Sequence, residues 1–227
     1  MPQPIAQPAL IFFGALKRRA AYTVKANGSF YSYEHYRKHF RYEISEDCQQ
    51  RCVYCDSHEN EMGGWESMEL DHFRPYTRAN FKHLEDDPNN FHHSCGRCNR
   101  LKSDKWPSTH LTEPHDGKVG FIDPFRDDRR KYFRVEPDGD LTPLLSPADY
   151  LIRTLALNRP LLRRLRFRRL LKAELNAYVM KMMPEWEAAA KGEGGLSREE
   201  LSKCVLTVLA YQRLMELCDA PLTALRK

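Results

Sequence analysis

Two Cys-x-x-Cys pairs constrain this chain more than any other feature. Cys52 and Cys55 stand in "CVYC", Cys95 and Cys98 in "CGRC", with 39 residues between the pairs. Each short loop presents two thiolates, and four thiolates close a tetrahedral zinc site at about 2.3 Å per bond. Such a site fastens two distant stretches together, so the segment between them folds as an insert on a metal staple. Four sulfur ligands leave no open coordination position, which makes this zinc structural rather than catalytic. Cys48 lies four residues before the first pair and is a less well spaced alternative ligand. His92 and His93 neighbour the second pair, and either is chemically able to stand in for a cysteine. Cys204 and Cys218 fall in a helical stretch and read as core thiols. Seven cysteines are an odd number, and in a reducing compartment they would not form a disulfide framework.

Composition narrows the class further. A length of 227 residues, 41% of them hydrophobic and 11% aromatic, supplies a core for one sizeable domain or two small ones and excludes a disordered chain. No apolar run reaches the roughly 18 residues that a membrane-spanning helix needs. The opening "MPQPIAQPAL" has no basic stretch ahead of an apolar core, so it reads as an irregular leader rather than a secretion signal. A cytoplasmic location is the resulting expectation.

Periodicity sets an α+β pattern. Residues 33–47 have helical spacing, with Tyr36, Phe40 and Ile44 on one side. "KYFRVEPDGDLTPL" predicts a short hairpin around its Asp-Gly turn. In "SPADYLIRTLALNRP" a helix is expected with Ser146 as N-cap and Pro147 at its first position, broken at Asn158 and Pro160. A second helix is expected from about Arg159 to Ala190, with Pro184 as a point for a kink. "KGEGG" predicts a turn, and Ser197 with Glu200 predicts a capping box for a last helix.

A zinc held by four sulfurs does no chemistry, so catalytic groups must lie in the insert or just after the second pair. In order there come Asp71 and His72 in "LDHFRP", Asn90 in "DPNNF", and Asn99 and Lys102 in "CNRLK". Each has a plainer role available: a structural histidine, a turn-capping aspartate, a turn asparagine, a helix-start asparagine, a solvated lysine. The ordered pattern over about residues 48–106 nevertheless resembles the HNH endonucleases of the four-cysteine zinc type, with their ββα-metal fold. "GFIDPFRDD", the "EPDGDLTP" hairpin and "TLALNRPLLRRLR" extend the resemblance towards the PtuB nucleases of Septu-type and retron-linked anti-phage systems.

The resemblance implies hydrolysis of a DNA phosphodiester, leaving 5′-phosphate and 3′-hydroxyl ends. His72 is then the general base. Asp71 and Asn99 supply oxygen ligands to one catalytic Mg²⁺ or Mn²⁺. Asn90 braces the loop that orients His72, Lys102 reaches a phosphate, Arg100 is a weaker phosphate candidate, and Asp123 supports the site from behind. The division that follows is a leader and helix over 1–47, a nuclease core with structural zinc over 48–125, and a hairpin plus helical region for DNA or partner contact over 126–227. "RPLLRRLRFRRLLK", residues 159–172, holds seven basic residues and no acid, with leucines on an apolar side. It reads as a DNA-contacting amphipathic helix with little sequence specificity. In the Septu resemblance an ATPase subunit is the partner, docking on the helical third. The alternative is a zinc-stabilised nucleic-acid- or protein-binding module without catalysis.

One objection comes from strand geometry. Consecutive residues on a regular strand face opposite ways, so a site that uses both Asp71 and His72 predicts an irregular strand at residues 71–73.

Overall fold

A computed structural model describes residues 12–193 and 195–219, with side chains to residue 213. The first eleven residues of the expected leader therefore lie outside the described residues. Its continuation is no loose arm, since Phe12, Phe13, Leu16 and Tyr22 are buried in the main core. Ser32 caps the first helical stretch through its hydroxyl, which accepts from the His35 N–H. The stretch runs as α1 (Tyr33–His35), a π turn (Tyr36–Phe40) and α2 (Arg41–Asp47). Tyr36 and Ile44 are fully buried and Phe40 packs beside them, the face that the spacing predicts.

The centre of the chain is a ββα unit. Strands β1 (Met68–His72) and β2 (Phe91–Cys95) pair antiparallel, and α3 (Gly96–Lys102) leaves β2 directly at the second cysteine pair. The first cysteine loop is tied to β2 by the Val53 N–H, 3.0 Å from the His93 carbonyl. The connection from β1 to β2 is made of short 3-10 turns, Ala79–Leu84 and Pro88–Asn90.

Beyond this unit the predicted hairpin forms, with β3 (Phe133–Val135) against β4 (Leu141–Pro143). Then come α4 (Ala148–Thr154), α5 (Pro160–Ala190) and α6 (Arg198–Asp219). Ser146 does not cap α4. Pro147 takes the cap position itself, and no side chain bonds the first turn. Helix α5 continues through Pro184. Lys191 and Gly192 form the expected turn, and Ser197 and Glu200 exchange the reciprocal bonds of a capping box. Cys204 is exposed rather than a core thiol, because the residues of α6 that face α5 are Leu201, Val205 and Val208. The Cys218 side chain lies outside the described residues. Among the described residues no helix is long and apolar enough to cross a membrane.

The basic start of α5 is not the open phosphate-binding face that its composition suggests. Arg166 is buried, with its guanidinium on the Gly139 and Leu157 carbonyls at 2.6 and 2.9 Å, and burial pulls its pKa down to about 10. Arg163 pairs with Asp138 and Asp140, both at 2.7 Å. Arg169 holds Asp56 at 3.0 Å and Glu61 at 2.8 Å. These cations fasten α5 to the hairpin and to the first cysteine loop. Arg164 is the member of the run that stands exposed.

Gly139 makes that fastening close. Its φ is +85°, and an added Cβ would stand 2.2 Å from the Arg163 carbonyl oxygen. Gly139→Ala is expected to destabilise the fold by at least about 2 kcal/mol, through left-handed strain and displacement of α5. The check is urea unfolding, where the midpoint should fall at constant slope.

Candidate metal centre and active site

The ligand sulfurs of Cys52, Cys55, Cys95 and Cys98 all lie within 4.8 Å of one another, and all four residues are buried. The Cys55 and Cys95 sulfurs are 3.9 Å apart. A tetrahedron with 2.3 Å bonds has edges of about 3.8 Å, so the cluster has close to the size that zinc requires. Hydrogen bonding from Cys52 draws the Cys55 and Cys95 thiols below their ordinary range, while Cys52 and Cys98 are pushed up, so the four share hydrogen bonds within the cluster. At the N-cap of α5, Arg159 places its guanidinium 3.7 and 3.6 Å from the Cys95 and Cys98 sulfurs, an outer contact of the kind that steadies metal ligands. Cys48 stands outside the cluster, and burial pushes its thiol up to about 12, so it is a neutral core group. His92 and His93 are buried on β2 and do not join the sulfurs. His92 stacks on Phe73, while burial drives His93 down to about 3.

A cavity of about 320 Å³ opens beside β1, lined among others by Leu70, Asp71, His72, Tyr76, Asn99 and Arg100. The strand itself is regular. Its pairing with β2 runs unbroken from Met68 to His72, and the Phe73 N–H still reaches the Asn90 carbonyl at 2.8 Å. Of the irregularity expected at 71–73, only the bend at residue 73 is present, while Asp71 and His72 are regularly paired. Opposite-facing neighbours share the cavity for another reason. Among the described residues, β1 has β2 as its single strand partner. Three consecutive residues line the cavity, which requires that the strand be met edge-on.

His72, 8% exposed, sits between the rings of Tyr33 and Tyr76, at 4.5 and 4.4 Å, with Phe91 edge-on at 5.1 Å. Its Nε2 is 2.8 Å from the Glu85 carbonyl oxygen. A carbonyl only accepts, so Nε2 carries the hydrogen and Nδ1 is the basic nitrogen of the neutral ring. Burial lowers its pKa below the ordinary value. Asn90 holds the loop that delivers Glu85. Its Oδ1 accepts from the Arg74 N–H at 2.8 Å and its Nδ2 donates to the Arg74 carbonyl at 2.9 Å.

Asp71 points the other way and is buried. Tyr54 donates its hydroxyl to Oδ2, and Lys102 Nζ stands 3.3 Å from Oδ1. Burial pushes the Asp71 carboxyl up and the Lys102 ammonium down, while each opposes the other's shift. Lys102 is 0% exposed, and its strongest bond is to the His72 carbonyl at 2.7 Å. It cannot reach a phosphate as expected, because α3 turns it inward to clamp the strand end. Arg100, the weaker candidate by sequence, has a 67% exposed side chain and lines the cavity. Asp123 bonds the Phe125 N–H within its own turn, so no contact ties it to the site.

Asn99 lines the cavity, and its Nδ2 donates to Glu69 Oε2. Glu69, Tyr33, Tyr54 and Tyr76 escaped the sequence reading. For Glu69 a signal existed, since it lies two residues before Asp71 and so shares its face of β1. The tyrosines come from three separate segments, and nothing local marks them.

Residues 52–105 match the family model described as HNH endonuclease. That segment contains both cysteine pairs and Asp71, His72, Asn90, Asn99 and Lys102. No curated protein and no solved structure matches the chain.

One zinc per chain is the expected metal content. Cys95→Ser should lose it and unfold at lower temperature, whereas Cys48→Ser should keep it. Metal analysis with thermal melting decides between these ligand assignments.

Proposed function

We propose that the chain is a metal-dependent HNH endonuclease that hydrolyses DNA phosphodiester bonds, with His72 as general base. The observation that supports this most is the His72 ring itself. It is packed between two tyrosines and pinned at Nε2, which leaves Nδ1 as the basic nitrogen of a residue that lines one cavity with Asp71 and Asn99. An oxygen donor pair of this kind suits one Mg²⁺ or Mn²⁺. When bound, the cation supplies Lewis-acid stabilisation to the phosphate and the leaving oxygen.

The protein's own groups do the rest. Nδ1 accepts a proton from the attacking water, and the Glu85 carbonyl keeps the ring in the tautomer that can accept it. Burial makes the resulting imidazolium costly, which favours release of the proton afterwards. Lys102 and Asn90 hold the two ends of the strand–loop junction, so the base keeps its place during the reaction. Arg100 at the cavity is the cation best placed to meet a neighbouring phosphate.

The finer reading is an anti-phage effector of the PtuB type, acting in the cytoplasm with an ATPase subunit docked on the helical third. Its support is the order of the downstream strings and the work they do here. Asn158 of "LNRP" bonds the Leu141 N–H and carbonyl of the hairpin at 2.8 and 3.0 Å, while Arg159 meets the zinc cysteines. The division at 47/48 and 125/126 belongs to the same reading. A second reading, a zinc-stabilised binding module without catalysis, gains from one observation: both Asp71 oxygens already accept bonds from Tyr54 and Lys102. RNA cleavage uses the same chemistry.

Purified protein with Mg²⁺ or Mn²⁺ should cut plasmid DNA, and His72→Ala should slow this by at least about 100-fold with zinc retained. Plasmid, single-stranded DNA and RNA tested side by side sort the substrates, and persistent lack of cleavage alongside salt-sensitive DNA binding supports the binding module. A base must be unprotonated to act, and the His72 pKa is lowered from 6.5. The rate should therefore fall only on acidification below about pH 6.5 and stay flat above it. An inflection above pH 7 in kcat/KM contradicts the assignment.

A further inference from the structure

Glu69 has no part in the reaction above, yet three separate features converge on its carboxylate. Oε2 accepts the Asn99 amide hydrogen. Oε1 lies 3.7 Å from Arg100 Nη1. At Gly96, the first residue of α3, an added Cβ would stand 2.9 Å from that same Oε1, so the glycine leaves the room this carboxylate occupies. Strand β1 carries Glu69 and Asp71 on one face, and α3 carries Asn99 against it.

An asparagine amide has two unlike ends, and only its oxygen can bind a cation. A carboxylate only accepts, so Glu69 fixes which end of Asn99 it receives: Nδ2 faces Glu69, and Oδ1 is the end left for another partner on a side chain that lines the cavity. The flipped amide would set Oδ1 against the carboxylate with no hydrogen between them, and would offer NH₂ to a positive ion. Both penalties act in the same direction.

We propose that Glu69 is a positioning residue that locks the Asn99 carbonyl towards the cavity as a ready-made ligand for the catalytic cation. The inference rests on the reading of Asp71 and Asn99 as that cation's holders. In this arrangement Glu69 acts through the amide and does not itself bind the ion. Outer partners of this type characteristically change metal affinity by about 10- to 100-fold when removed.

The test is Mn²⁺ titration of the full-length, zinc-loaded protein, read by electron paramagnetic resonance, with zinc content and melting temperature measured on every variant. Glu69→Ala should weaken Mn²⁺ binding by about 10- to 100-fold at unchanged zinc content. Glu69→Gln is uncharged but keeps a carbonyl acceptor, so it should stay within a few-fold of wild type. Unchanged binding in Glu69→Ala overturns the proposal. So does Glu69→Gln binding as weakly as Glu69→Ala, since that marks a charge effect or direct ligation. Asp71→Ala and Asn99→Ala separate the underlying reading: if both bind Mn²⁺ like wild type, or if wild type binds none, the cation site is elsewhere and the role of Glu69 falls with it.

Discussion

The four-sulfur cluster is the constraint on which the rest depends. It joins the loop at Cys52 and Cys55 to the junction of β2 and α3, and thereby sets the angle at which α3 meets β1. Asn99 and Lys102 follow Cys98 within that short helix, so the cysteine cluster also helps to place the amide at the cavity and the ammonium at the strand end. Binding energy of a structural zinc is folding energy, because no such site exists in the unfolded chain. The long C-terminal helix depends on the same centre, since Arg159 faces its sulfurs and Arg169 grips the loop after Cys55.

Around that staple the protein concentrates charge in places where water does not reach. Asp71 and Lys102 are both buried, as are Arg129 and Arg166. A buried ion is tolerable only when it is paired or richly bonded, and each of these meets that condition. Lys102 bonds a carboxylate and two carbonyls, while Arg129 donates to the Val53 and Gly14 carbonyls at 2.8 Å each. Cations directed at backbone carbonyls hold loops without needing acidic partners.

What was legible in the sequence was whatever local spacing or metal chemistry dictates. The Cys-x-x-Cys pairs, the hairpin, the capping box before α6, and the grouping of Asp71, His72 and Asn99 at one cavity all belong here. Side-chain direction was not legible. Lys102 and Arg100 are two residues apart on α3, and only the packing of that helix against β1 decides which turns inward. The basic run of α5 misled for the same reason: composition counts charges, but Asp56, Glu61, Asp138 and Asp140, which neutralise them, lie far away in the chain. The two-stranded sheet is implied by the ββα resemblance, but residue spacing does not carry the fact that β1 stays regular through Asp71 and borders the cavity. A strand with one free edge needs no distortion to offer both faces to one cavity.

That free edge has a consequence for solubility. An unpaired strand edge is a template on which another chain can add. Along β1, however, the Leu70 carbonyl is taken by the Tyr33 hydroxyl at 2.7 Å, and the His72 carbonyl by Lys102. Side chains thus occupy alternate acceptors of the row. The strand borders the cavity, yet these two contacts leave no continuous ladder for a second backbone, so resistance to aggregation comes from two side chains, of which Tyr33 also shapes the cavity wall.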